Sequence, residues 1–204
     1  EDRSTCSLSL GWTVLWCIVA VLACPFTQRP WSSGIMPIFV LYAKAEMEGI
    51  AKFWVPDDTV WTFDVKQGAS SEERKGVEID PNEFNEVPNT KNTTANFMLK
   101  FEGDKQFSYL KVLRGEELPK KLELRPQTAD DAEMVPIFAC ECRGMEPVRW
   151  HPLGPYCVDA VGGTHYDEVG FKDGDDWADY EEKSGEALML NKTIPHEFRL
   201  FKAK

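Results

Sequence analysis

Residues 137–180 read IFACECRGMEPVRWHPLGPYCVDAVGGTHYDEVGFKDGDDWADY, and the reading of this run decides the fold. Short apolar stretches alternate with glycine, proline and acidic turns, and no helical amphipathicity is sustained over three turns. Cys140 and Cys142 lie two positions apart on the apolar run over residues 135–142, so a strand there points both thiols to one face. Gly144 permits a backbone bend after that strand, and Pro147 fixes its exit. Arg143 is within sequence reach of Glu146 or of an acidic neighbour such as Asp176, a pairing that would clip the strand end to the acidic segment. Asp173-Gly174-Asp175-Asp176 looks like part of a calcium loop, but Ala178 and Ser184 stand where such a loop needs glycine and glutamate. It reads as a solvated acidic turn. Trp177 and Tyr180, beside Glu181, Glu182 and Glu186, read either as core plugs next to an exposed turn or as anchors of an acidic docking face.

The rest of the chain agrees with strands. Trp61, Phe63 and Val65 alternate with Thr62, Asp64 and Lys66, the period of a strand with one wet face. Phe97, Leu99 and Phe101 alternate with Met98 and Lys100, Gly103-Asp104 makes a tight turn, and residues 107–113 return as the second arm of a hairpin. Residues 38–45 are rich in β-branched and aromatic side chains, and Leu122 and Leu124 suggest a further short strand closed by Arg125-Pro126. Residues 72–91, rich in charge, Pro and Asn, suit a long surface loop or a ragged edge strand. The class is all-β.

With 204 residues, 43% of them hydrophobic, the chain can build one domain with a substantial core. Its 34 acidic residues outnumber 23 basic ones for a net charge of −11, which excludes a phosphate-backbone binder and leaves proteins or cations as partners. Cys6, Cys17 and Cys24 precede residue 36, and Cys140, Cys142 and Cys157 follow it; three irregularly spaced cysteines in the folded part are no disulfide framework and suit a reducing compartment.

Residues 1–35 form a separate hydrophobic extension, densest over residues 12–23. A signal peptide wants a basic start, whereas this segment starts Glu1-Asp2-Arg3; a spanning helix wants about 20 apolar residues, reached here only by including Gly11, Thr13 and Pro25. A signal, a membrane anchor and upstream read-through all remain open readings. The opening on Glu1 and the resemblance that begins at Met36-Pro37-Ile38-Phe39 favour residues 36–204 as the functional domain. The sequons Asn92-Thr93-Thr94 and Asn191-Lys192-Thr193 would matter only on the secretory route.

Two islands, Cys142-Arg143-Gly144-Met145-Glu146-Pro147-Val148 and Asp176-Trp177-Ala178-Asp179-Tyr180-Glu181-Glu182-Lys183, flank the turn Gly162-Gly163-Thr164. Together they resemble the C-terminal signature of the eukaryotic CXXC motif-containing zinc-binding protein family, formerly a domain of unknown function. The resemblance covers residues 36–204 and implies a single-domain, two-sheet antiparallel β-sandwich in the cytoplasm with no known catalytic activity. It also implies zinc held by two Cys-x-x-Cys turns, one after the tryptophan-bearing strand and one at the later hairpin. With Trp61, Lys66 and Gly68 as anchors, the first pair falls on Gln67 and Ser70. With Ala95-Asn96-Phe97 and Lys100 as anchors, the second falls on Phe101 and Asp104. None of these side chains is a thiolate, and one carboxylate cannot hold zinc alone, so no cofactor is expected at a degenerate zinc site.

An alternative keeps a zinc ion through other ligands, drawn from Cys140, Cys142, His151 and Cys157. Packed cysteines on an apolar strand explain the first pair without a metal. His151, His165 and His196 read as structural or exposed histidines, and no Ser/His/Asp set or glycine-rich phosphate loop is recognisable. A pocket joining Cys142, Arg143 and His151 would be the mark of an enzyme. The expectation is therefore a non-enzymatic protein-interaction module with a protein partner, no nucleic acid, and contact with a membrane only through a genuine anchor in residues 1–35.

Overall fold

Alternation along residues 61–65 has the consequence it predicts: Trp61, Phe63 and Val65 are all buried in the core. The structure, a computed structural model, describes residues 36–68, 70–171 and 174–202. The hydrophobic extension expected at residues 1–35 lies outside the described residues, as does Asp173 of the acidic turn.

In chain order the strands are β1 (Ile38–Ala43), β2 (Met47–Glu48), β3 (Ile50–Trp54), β4 (Trp61–Gln67), β5 (Glu73–Ile79) and β6 (Asn85–Glu86). They continue with β7 (Thr94–Ala95), β8 (Phe97–Leu99), β9 (Ser108–Val112), β10 (Gln127–Thr128), β11 (Val135–Arg143) and β12 (Met145–His151). The last five are β13 (Tyr156–Ala160), β14 (His165–Val169), β15 (Trp177–Glu181), β16 (Glu186–Leu190) and β17 (His196–Phe201). A 3₁₀ turn spans Gly115–Glu117.

The expected all-β class is what the described residues form, as one compact unit, but the strands divide into five antiparallel sheets and not into the two of a simple sandwich. A five-stranded sheet runs in the order β17-β1-β11-β9-β8, and a four-stranded one in the order β10-β3-β13-β14. Two three-stranded sheets, β12-β4-β5 and β15-β16-β2, and the pair β6-β7 complete the fold. The physical reason lies at Gly144. The run of β11 into β12 is nearly continuous, yet the chain bends at φ +75° and passes from the five-stranded sheet to the β4 sheet. A Cβ built there would sit 2.4 Å from Ser108 Oγ, so both the dihedral and the close approach require glycine.

Other expectations resolve in detail. The hairpin Phe97–Leu99 with Ser108–Val112 pairs antiparallel, Phe97 opposite Leu110. The segment over residues 72–91 supplies an edge strand, β5. Pro147 does not mark the exit of a strand; it lies inside β12, opposite Val65, where the register shifts before Arg149. Leu122 and Leu124 form no strand, and Leu122 instead plugs a satellite cluster with Val40, Leu113 and Ala139. Arg143 is exposed and pairs with neither Glu146 nor Asp176.

The clip between the strands and the acidic segment is made by Glu181 instead. Its side chain is 1% exposed and accepts hydrogen bonds from the Gly162 amide (3.0 Å), the Thr164 amide (3.1 Å) and Ser184 Oγ (2.7 Å). The Gly162-Gly163-Thr164 turn is thus an anion nest that ties the β13–β14 hairpin to the end of β15. The donors of Thr164 and Ser184 first, and the Gly162 amide after them, hold the Glu181 carboxyl below the usual carboxylate range.

Two predictions follow from these contacts. Phe63→Ala should lower the free energy of unfolding by about 3–5 kcal/mol in urea titrations, since it leaves a cavity among packed rings, while Phe84→Ala, at an exposed position, should stay within about 0.5 kcal/mol. For Glu181, the folded value lies below the unfolded one, so its stabilisation is complete above about pH 4.3 and is lost as pH falls through the folded value. Glu181→Gln should therefore be less stable than the wild type at neutral pH and lose less stability on acidification, as read from urea midpoints across the acid range.

Candidate functional site

The residues at the ends of β4 and of the β8 arm come together. Gln67 closes β4, and its turn is held by Ser70 N donating to Gln67 O (3.4 Å) and Gln67 N donating to Glu72 O (2.9 Å). The second turn closes with Asp104 N donating to Phe101 O (3.2 Å), and Gly103 takes φ +81°. Across 37 residues of chain, Gln67 Nε2 donates to Asp104 Oδ2 at 2.8 Å, while Ser70 Oγ donates to Gln67 Oε1 and accepts from the Glu72 amide at 3.0 Å. Gly68 N also donates to Gly144 O (3.1 Å), which ties the first turn to the bend between β11 and β12. Three of the four sequence-singled residues thus form one hydrogen-bonded chain, and the fourth, Phe101, is 1% exposed and belongs to the core.

This set does not fit zinc. A carboxamide, a hydroxyl and a phenyl ring are not its ligands, and the Gln67 amide already spends donor and acceptor on its two neighbours.

The other predicted ligands are not brought together. Cys140 and Cys142 do share a face, their sulfurs 3.6 Å apart, but both are fully buried, and burial pushes the Cys142 thiol well up. His151 pairs elsewhere: its Nε2 lies 2.7 Å from Asp64 Oδ1, which also accepts the Gly76 amide at 2.9 Å. Burial opposes ionisation of Asp64, yet the His151 and Gly76 hydrogen bonds, with the His151 and Arg149 charges, hold its carboxyl below the usual value. The open groove beside this pair is lined by Lys75, Arg149 and Leu153, with neither Cys142 nor Arg143 in its wall. His196 is structural, with Nε2 taking the Trp150 amide (3.2 Å) and Nδ1 giving to Ile194 O (2.8 Å).

Cys157 finds different partners. Its Sγ lies 3.3 Å from Asp167 Oδ1, and His165 Nε2 lies 2.9 Å from the same oxygen. His165 Nδ1 is 2.7 Å from Asp159 Oδ1, its partner in the β13–β14 ladder. The ligand atoms of Cys157, His165 and Asp167 all fall within 4.8 Å of one another, a group that could hold a metal ion. Burial, then the Asp167 hydrogen bond, pushes the Cys157 thiol up to about 11, and the Asp159 and Asp167 carboxylates raise the His165 imidazole. Sequence reasoning missed His165, Asp159 and Asp167. The signal was present as Cys-x-Asp and His-x-Asp on the two arms of a hairpin around Gly162-Gly163, a period that puts all four on one face.

The human CXXC motif containing zinc binding protein is 32% identical over 77 residues, 37% of this chain and 47% of that protein. Its Xenopus laevis counterpart is 34% identical over 77 residues, with the same shares. This chain therefore spans about half the length of the curated relatives it matches. Among solved structures, a hypothetical protein from Plasmodium falciparum superposes with a TM-score of 0.68 at 24% identity, covering 80% of this chain and 100% of that one. C1orf123 gives 0.67 at 24% identity, covering 80% and 99%. These two structures share the fold. The family model described as CXXC motif containing zinc binding protein, eukaryotic, matches residues 40–199, and by that extent the chain belongs to this family.

Proposed function

We propose that the two facing turns stand where the family holds its ion, and that in this chain they cohere as a metal-free polar clasp within a non-enzymatic protein-interaction module. The observation that carries the reading is the Gln67 side chain, which bridges Ser70 on its own turn to Asp104 on the other. A thiolate knuckle gathers its loops through bonds to an ion; here a carboxamide gathers them through hydrogen bonds, each adding about 1 kcal/mol. Phe101, in place of a ligand, adds buried apolar surface at the same corner.

Support for protein contact comes from the outward face of β15 and β16. Tyr180 (58% exposed) stands opposite Ala187, and Ala178 opposite Met189, also exposed, so four apolar side chains share one solvent face. Exposed Glu182 continues this face beyond Tyr180, an aromatic and methionine centre with an acidic neighbour suited to a basic protein surface. Trp177, by contrast, packs on the core against Tyr166 at 5.6 Å, so of the two aromatic residues only Tyr180 is left to anchor a partner. The free, buried thiols of Cys140 and Cys142 suit a reducing, cytoplasmic setting.

Restoring cysteine at all four positions (Q67C, S70C, F101C and D104C together) should add one zinc ion per chain relative to the wild type, measured by native mass spectrometry; no gain would refute the assignment of the turns. Gln67→Glu should lower the melting temperature at neutral pH by setting a second carboxylate against Asp104, and the deficit should shrink as pH falls towards about 4. For the contact face, Tyr180→Ser with Met189→Ser should remove partner proteins that co-purify with the wild type at unchanged melting temperature, and identical profiles would count against that part.

A further inference from the structure

We propose that the β13–β14 hairpin carries a transition-metal site for which zinc is the best-matched ion, with Cys157 Sγ, His165 Nε2 and one oxygen of Asp167 as ligands. The proposal goes beyond the metal-free reading of the turns at Gln67 and Asp104 and does not depend on it, because the two places lie on different sheets.

The ladder places the ligands. Cys157 and Asp159 share one face of β13, His165 and Asp167 share one face of β14, and Asp159 pairs directly with His165. Zinc bonds of about 2.0–2.3 Å in a tetrahedron put neighbouring ligand atoms about 3.3–3.6 Å apart. The distances here are 3.3 Å for Cys157 Sγ to Asp167 Oδ1 and 2.9 Å for His165 Nε2 to that oxygen, and the third pair, Sγ to Nε2, lies within 4.8 Å.

The surroundings are those of a ligand set and not only of a surface ion pair. Asp159 Oδ1 lies 2.7 Å from His165 Nδ1 and would go on accepting that N–H while an ion takes the place of the proton between Nε2 and Asp167 Oδ1. Trp54, opposite Cys157 in the neighbouring strand, stacks on the imidazole at 5.4 Å and 22°, fixing the ring plane. Cys157 is buried while His165 and Asp167 are exposed, so an ion can enter from solvent and meet the sulfur at the base. The carboxylates of Asp167, Asp159 and Asp58 all bear electrostatically on that sulfur, an environment that favours a cation. One thiolate, one imidazole and one carboxylate match a borderline-soft ion; calcium and magnesium take oxygen ligands. Water completes the tetrahedron.

The full chain, stripped with a chelator and titrated with zinc, should bind one ion and melt at a higher temperature with it. Cobalt(II) should give the sulfur-to-metal charge-transfer band of a thiolate ligand, and Cys157→Ser should abolish that band. Asp167→Asn and His165→Gln should each weaken zinc binding at least tenfold, and Asp159→Asn by about 10–100-fold with the charge-transfer band retained, as befits a positioning residue. Gln67→Ala should leave the affinity unchanged, which separates this site from the turns. The proposal is overturned if the wild type binds no zinc, or if Cys157→Ser and His165→Gln bind it as tightly as the wild type.

Discussion

Everything in this fold is arranged around the rings that meet at Phe63. Phe138 from β11 lies 5.1 Å from it edge-on, Phe198 from β17 lies 5.3 Å away edge-on, and Trp61 tilts against it at 5.9 Å. Trp61 in turn packs on Phe138 and on Trp150 of β12, which faces Tyr156 of β13. Three of the five sheets are thus joined through a single set of aromatic contacts, and Leu190 brings β16 into the same core. Such rings hold their preferred geometry only when fully packed, so the sheets cannot shift independently.

The peripheral turns depend on that core and are finished by polar chemistry. At one corner Gly144 turns the chain between sheets, and its carbonyl accepts the Gly68 amide beside the Gln67 clasp. At another corner the Gly162-Gly163-Thr164 turn surrounds the Glu181 carboxylate. A Cβ on Gly162 would lie 2.1 Å from a Glu181 carboxylate oxygen, so the glycine is there for close approach. At the second corner a buried carboxylate is satisfied by backbone donors, as a buried charge requires. The β13–β14 hairpin adds a third polar corner, at Cys157, His165 and Asp167, which faces outward.

Period-2 patterning made the β4 strand and the β8–β9 hairpin legible, because Trp61, Phe63 and Val65 state their burial by alternation alone. The number of sheets was not legible, since it is set by long-range pairing: a bend at Gly144 and register shifts such as the one after Pro147 decide which ladder each half of a strand joins. Leu122 illustrates the same limit, an apolar residue whose partners come from three other segments and whose backbone needs no strand. Among site residues, the pairing of the turns at Gln67, Ser70 and Asp104 was implied by the family resemblance, which sets two turns against each other. The partners of Cys157 were not, because Asp159, His165 and Asp167 acquire meaning only once β13 and β14 are in register.

The central claim is that the two turns at Gln67 and Asp104 are held by hydrogen bonds where an ion would otherwise gather them. Anomalous diffraction at the zinc edge from crystals grown with saturating zinc tests it directly. The account predicts no peak between the two turns, with Gln67 Nε2 still on Asp104, and a peak beside Cys157 Sγ. A peak between Gln67, Ser70 and Asp104 would contradict it.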